Sequence, residues 1–271
     1  MGSDMKEITE IPVLPPEIIE AVRSEKFAVF IGAGVSRSVG CLGWNELALN
    51  LLNRCEEEGL INNFEKESMS RQSDFKKIIT ICNHLLNNDD RFFAEMEKAL
   101  NDTKVSKTNP NLEKIYKPLF RLDAIFVTTN ADRHINQLFT PQQIVSKNFE
   151  KDMPISNKYL YKIHGCIENQ RSLVFTVNEY LEQYANNNEF QGFLERLFNE
   201  CTILFIGYGL GEFEQIYFGK LGITLIPYAK DEKGYTQLED IVQKWVAEIE
   251  SQTRKIVRAF DFIDDALGNP I

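Results

Sequence analysis

The sequence predicts an α/β fold, a parallel sheet flanked by helices, and three observations carry that prediction. Short apolar runs recur along the chain and end in Gly, Thr, Asn or His, as strands buried on both faces do. Amphipathic patterns of helical period separate these runs. The chain has 271 residues, 43% hydrophobic and 26% charged, which suits one large domain or two small ones sharing a core.

The elements follow in order. Residues 16–26 open with proline and place Ile18, Ile19 and Val22 on one helical face. The first strand, Phe27–Ile31, runs into Gly32-Ala33-Gly34. Residues 44–58 put Leu47, Leu51, Leu52 and Cys55 on one side of a helix that stops before Gly59. Two further helices are expected over 73–87 and 89–100, the first with Ile78, Ile79, Cys82, Leu85 and Leu86 on its apolar face, and another over 111–122 despite Pro118. A second strand over 124–127 leads into Thr128-Thr129-Asn130. A third over 159–163 ends at His164-Gly165, and a fourth, Thr202–Ile206, at Gly207-Tyr208-Gly209. Helices over 189–200 and 237–251, the latter extensible to 267, and a strand over 223–226 complete the set. The link between the last two strands is barely long enough for a parallel crossover, so residues 212–218 must supply its whole helix and a deletion near 214–215 is suspected. A single domain over 1–271 is expected. Its Rossmann-like core takes in 20–43, 119–178 and 201–251, a helical insertion occupies 44–118, and 179–200 adds helical cover.

Composition narrows the function classes. Forty acidic against 30 basic residues give a net charge of -10, without the broad positive field of a nucleic-acid binder. No apolar run approaches the roughly 20 residues needed to cross a bilayer. The first residues carry neither a basic nor a long apolar segment, so no signal peptide is expected and the cytoplasm is the expected compartment. Cys41, Cys55, Cys82, Cys166 and Cys201 are scattered without a C-x-x-C pair, and His84, His134 and His164 show no close ligand spacing. Neither a zinc ribbon, a disulfide framework nor any metal is predicted.

In an open α/β sheet, ligands bind beyond the carboxyl ends of the strands. Gly32 and Gly34 would let the backbone approach a pyrophosphate, with N–H groups of the turn and the following helix facing it. Alone this is a weak signal, since a tight strand-to-helix turn needs the same glycines. Asn130 could cap a helix beginning near Asp132, and His164 could be a hydrogen-bonded turn residue. Their shared position at strand ends beside a glycine loop favours a site. An Asn amide both donates and accepts, which suits holding a ribose hydroxyl together with water; an imidazole titrates near neutrality, which suits a general base. His134 and His84 are taken as structural.

The order GAGVS, TTNxD, HG, GYGLGE resembles the sirtuin-like (silent-information-regulator type) family over about residues 20 to 228. The segment GAGVSRSVGCLGWNEL is most similar to the bacterial branch that degrades NAD during phage defence, because deacylases carry a Pro-Asp-Phe-Arg element after the glycine motif. The resemblance implies a Rossmann-like fold and NAD+ as substrate, without a metal in catalysis. It implies Asn130 and His164 as catalytic residues and Asp132 on the nicotinamide carboxamide. Ser36 with Gly32, Ala33 and Gly34 would hold phosphate and ribose, and Thr129, Gly207, Tyr208 and Gly209 would complete the cofactor pocket. Ala131 stands where the family has Tyr or Ile, which implies a roomier nicotinamide pocket. Family precedent also implies a homo-oligomer, and an ATPase-like or sensor partner or a fused sensor domain. An NAD+ glycohydrolase is the first expectation. A binding module for NAD or ADP-ribose is the alternative, and an NAD-dependent deacylase is disfavoured because helices replace the zinc ribbon.

Overall fold

The computed structural model describes residues 11–87, 90–101, 112–208 and 236–267. Its centre is a parallel sheet of β1 (Phe27–Ile31), β2 (Ile125–Thr128), β3 (Ile144–Val145), β4 (Leu160–Lys162) and β5 (Thr202–Ile206), in the order β3-β4-β2-β1-β5. All pairings are parallel, with Ala28 opposite Ile125 on one side of β1 and Ile203 on the other.

The strand residues divide by parity, as the two-residue period of a pleated strand requires. Phe27, Val29, Ile31, Ala124, Phe126 and Leu160 face one hydrophobic cluster, built with α1 (Pro16–Arg23), α7 (Lys117–Arg121) and a long C-terminal helix (Thr236–Leu267). Ala28, Phe30, Ile125, Val127, Tyr161 and Ile163 face a second cluster, built with the helix Asn188–Glu200. A sheet covered on both faces needs strands apolar at every position, which is why these runs read as continuous. The indole N–H of Trp245 donates to the Pro12 carbonyl at 2.8 Å and holds the N-terminal approach against the long helix.

Between β1 and β2 the chain forms α2 (Ala33–Ser38), α3 (Trp44–Glu57), α4 (Asn63–Ser70), α5 (Phe75–Leu85) and α6 (Asp90–Asn101), then a π-helical turn (Leu112–Tyr116) that runs into α7. Leu47, Leu51, Leu52 and Cys55 of α3 pack on Ile78, Ile79 and Cys82 of α5 and on Phe92 and Met96 of α6. This third cluster is not closed on itself. It includes Ala131, Ile167, Leu173 and Phe175 from the loops at the sheet's carboxyl edge, so the insertion sits over that edge. After β4 come α8 (Val177–Leu181), a π-helical turn (Glu182–Asn186), α9 (Asn188–Glu200), β5 and α10 (Thr236–Leu267).

Several expectations shift. The helix expected over 73–87 begins at Phe75 because Asp74 accepts the Lys77 N–H at 3.1 Å as its cap. The helix expected over 111–122 is a π turn followed by α7, with Pro118 in the first turn of α7, where a missing N–H costs little. The sequence reading also missed α4 and β3, and the helical cover expected over 179–200 begins with α8 at Val177. α4 buries no residue and so has no apolar face to read. The expected strand over 223–226, the helix over 212–218, the suspected deletion near 214–215 and Gly209 lie outside the described residues.

Candidate active site

Beyond the carboxyl ends of β1, β2 and β4 lies a cavity of about 410 Å³. Ala33, Ser36, Thr129, Asn130, Asp132 and His164 line it, together with Trp44, Leu47, Phe75 and Lys76 of the insertion. Six of the residues singled out from sequence therefore meet in one space.

Backbone chemistry at three strand ends places them. At the end of β1, Gly32 donates its N–H to the Ile206 carbonyl at 2.8 Å and Gly34 donates to the Gly207 carbonyl at 2.7 Å. These two N–H groups thus join the ends of β1 and β5, contrary to the expectation that they face a pyrophosphate. A side chain at position 32 would meet the Tyr208 ring at 2.5 Å and the Gly207 carbonyl at 2.7 Å, so the residue is glycine because another segment crosses it. Tyr208 lies edge-on to Phe30 and Phe205, and its hydroxyl donates to Thr129 Oγ1 at 3.0 Å.

After β2, the Thr128 hydroxyl donates to the Ile31 carbonyl at 2.7 Å and accepts the Asn130 N–H at 2.9 Å. The Asn130 side-chain amide donates to the Gly32 carbonyl at 2.8 Å. Asn130 therefore joins the ends of β1 and β2 and does not cap a helix. The helical turn nearby is a 3-10 segment, Ile135–Leu138, whose cap position is His134. Asp132 is 0% exposed; one carboxylate oxygen accepts the Ser36 hydroxyl at 2.5 Å and the other the His134 N–H at 2.9 Å. It thereby ties α2 to the loop after β2. Lys162, also 0% exposed, donates to the Asp132 carbonyl at 2.5 Å and to Asn136 Oδ1 at 3.1 Å.

At the end of β4, His164 is 2% exposed and held between two tyrosines. Its Nε2 lies 2.7 Å from the Tyr184 hydroxyl and its Nδ1 3.3 Å from the Tyr180 hydroxyl. Tyr180 lines the cavity with it, and the Lys76 ammonium sits 3.9 Å from the centre of the Tyr180 ring.

Cys41, Asp132 and His134 bring ligand-capable atoms within 4.8 Å of one another, a grouping their sequence positions did not announce. Two of the three are already engaged. Cys41 donates to the Leu100 carbonyl at 3.0 Å, and its thiol is pushed far up by burial and then by the Asp132 carboxylate. The Asp132 oxygens are occupied as described. The Tyr116 hydroxyl is also raised well above the usual range, first by burial and then by the Asp132 carboxylate.

Sequence reasoning missed Tyr180, Tyr184, Lys76 and Lys162. Lys162 carried a usable signal, as a lone charge inside the buried run 159–163.

Residues 124–216 match the SIR2-like domain family. The chain is 28% identical over 207 residues to the NAD(+) hydrolase ThsA of Cytobacillus dafuensis, an alignment covering 74% of this chain and 38% of that protein. It is also 26% identical over 206 residues to defense-associated sirtuin 2 of Bacillus subtilis, covering 73% of this chain and 19% of that protein. The resemblance thus extends to a protein named as an NAD+ hydrolase and to one named as a defence sirtuin. The chain spans under two-fifths of the first relative and about a fifth of the second.

Proposed function

We propose that this chain is an NAD+ glycohydrolase that releases nicotinamide and ADP-ribose, acting as the toxic effector of a bacterial anti-phage system. The observation that carries the reading is the convergence of Asn130 and His164 on one cavity at the carboxyl edge of the sheet. Its size suits a small-molecule site, for which roughly 300–1,000 Å³ is usual. The name of the first relative supports the same chemistry, and that of the second supports the defence role.

In NAD+ the nicotinamide leaves as a neutral base, so the protein's tasks are to hold the dinucleotide and direct water at the anomeric carbon. The C1′–N bond breaks as a C1′–O bond forms, and the proton released from water passes to His164 and on to solvent. Asn130, tied at Gly32, positions the ribose hydroxyls and the attacking water. Asp132 serves the carboxamide end; Ala33, Ser36 and Thr129 serve the phosphate and ribose side. Gly32, Gly34, Gly207 and Tyr208 keep the β1–β5 junction closed beneath them. The single-domain arrangement, cytoplasmic location, homo-oligomeric assembly and a sensor or ATPase-like partner belong to the same proposal.

The test is incubation with NAD+, alone and with neighbouring gene products, with the products identified by mass. Asn130→Ala and His164→Ala are each expected to abolish nicotinamide release while the protein stays folded. Turnover retained in both variants removes the mechanism. A chain that binds NAD+ under all these conditions without cleaving it is instead a regulatory binding module.

A further inference from the structure

The two tyrosines around His164 lie four residues apart, on α8 and on the π-helical turn that continues it. A capping box sets the start of α8: Thr176 Oγ1 accepts the Glu179 N–H, and the Glu179 carboxylate accepts the Thr176 N–H at 2.7 Å. The π turn then places Tyr184 so that its ring stacks on Tyr180 at 5.7 Å, with 15° between the planes. Both rings meet the imidazole edge-on, at 5.0 Å for Tyr180 and 5.8 Å for Tyr184. Phe190 packs edge-on against Tyr184 from behind, and the Gln191 side chain donates to the Tyr184 carbonyl at 2.9 Å. Such π-helical turns are rare and frequently mark functional sites.

From this geometry we infer that Tyr184 is a positioning residue that sets the tautomer of His164, with the proton on Nε2 and Nδ1 left as the base. The proposal rests on His164 being the general base. The shorter contact, 2.7 Å, is the one to Tyr184, and it suits a directed bond from Nε2–H to the phenolic oxygen. The longer contact, 3.3 Å, is to Tyr180, the tyrosine that lines the cavity, so Nδ1 is the nitrogen presented to substrate. A phenol both donates and accepts. Tyr180 therefore donates to Nδ1 while the ring is neutral and its oxygen accepts from the attacking water, so the water proton passes to the phenol oxygen as the phenol proton passes to Nδ1, and the hydroxyl then accepts from Nδ1–H. The imidazolium then has an acceptor at each nitrogen without a carboxylate nearby having to move. A base whose other nitrogen is held by a third group follows the general logic of oriented histidines.

The test combines a structural and a kinetic readout on the full chain. Nitrogen-15 histidine spectra, with His164 assigned by its loss in His164→Ala, are expected to show the Nε2–H tautomer in the parent protein. Tyr184→Phe is expected to shift that tautomer ratio toward Nδ1–H and to lower kcat about 10-fold, part of the ~10²–10⁴ a general base contributes, with KM within about two-fold. A merely structural role would change thermal stability and leave the tautomer where it was. A parent spectrum dominated by Nδ1–H, or a Tyr184→Phe protein with unchanged tautomer, overturns the inference. Undiminished turnover in His164→Ala sinks the general-base reading instead, while the spectra still report whether Tyr184 orients the ring.

Discussion

Lys162 is 0% exposed, and its side-chain nitrogen donates to two oxygens, the Asp132 carbonyl and Asn136 Oδ1. Exchanging a whole buried ionic group for apolar residues is often tolerated, but removing one member strands its partners. Lys162→Met keeps the chain's reach and takes away the donor, leaving a buried carbonyl beside the Asp132 carboxylate. We expect a loss of about 1–3 kcal/mol in denaturant unfolding, together with reduced NAD+ cleavage as the 130–136 loop loosens. A methionine variant matching the parent in both measurements would show that the ammonium does not hold the loop. The cysteines offer a pH test at the same scale. The Cys201 thiol is pushed up to about 11, by burial and then by the Glu200 carboxylate. At pH 8 only about one thiol in a thousand is then the nucleophilic thiolate. Alkylation of Cys201 by iodoacetamide is expected to be slow at neutral pH and to accelerate through pH 9 to 11. Mass mapping of the labelled peptides checks this, and rapid labelling near pH 7.5 would contradict it.

At the scale of elements, the His164-Gly165 turn shows how a two-residue motif encodes a geometry. Gly165 has φ +77°, and a Cβ there would lie 2.0 Å from the Ser172 carbonyl oxygen. The backbone must turn back at this point, because the Val174 N–H donates to the His164 carbonyl at 3.2 Å and the Cys166 N–H to Ser172 Oγ at 2.9 Å. Gly165→Ala adds both a left-handed strain and a backbone clash, and we expect a lower melting temperature with turnover lost as His164 is displaced. Parent-like melting and activity would mean that the loop re-forms freely. The sequence announced this turn through His-Gly, and it announced β1 and β5 to the residue because β1 is apolar throughout, β5 is apolar after Thr202, and each ends at a glycine. Elements without such signals went unread. α4 buries no residue, β3 is a two-residue edge strand, and the Tyr180–Tyr184 pair depends on a π turn whose register no periodicity of 3.6 predicts. Asn130 and His164 were legible as residues, but their bonds to Gly32 and to the tyrosines were not. Those bonds depend on the separation of strands and helices that lie far apart in the chain.

Across the whole molecule, the cavity lies on the seam between two bodies of apolar packing. One is the sheet with its flanking helices; the other is the insertion of α3 to α6, whose core closes only by including Ala131, Ile167, Leu173 and Phe175 from the sheet's edge loops. Trp44 sits on the insertion side of that seam, 5.1 Å from the Phe175 ring, with the Lys76 ammonium 5.5 Å from its own ring. A dinucleotide bound there would touch both bodies and join them, so ligand binding energy becomes folding energy. For a ligand at 100 times its Kd the gain is about 2.7 kcal/mol. In a chain of this size, that corresponds to a rise of about 5–10 °C in Tm. We therefore expect NAD+ to raise the Tm of a His164→Ala protein, in which substrate persists, and to raise it much less in a His164→Ala/Trp44→Ala protein. Trp44→Ala alone should increase KM and leave kcat nearly unchanged, the outcome expected of an aromatic wall that binds ground state and transition state alike. A Tm insensitive to NAD+ at saturating concentration would place the dinucleotide away from the seam, whereas a fall in kcat without a change in KM would move Trp44 from the wall of the cavity to its reacting end.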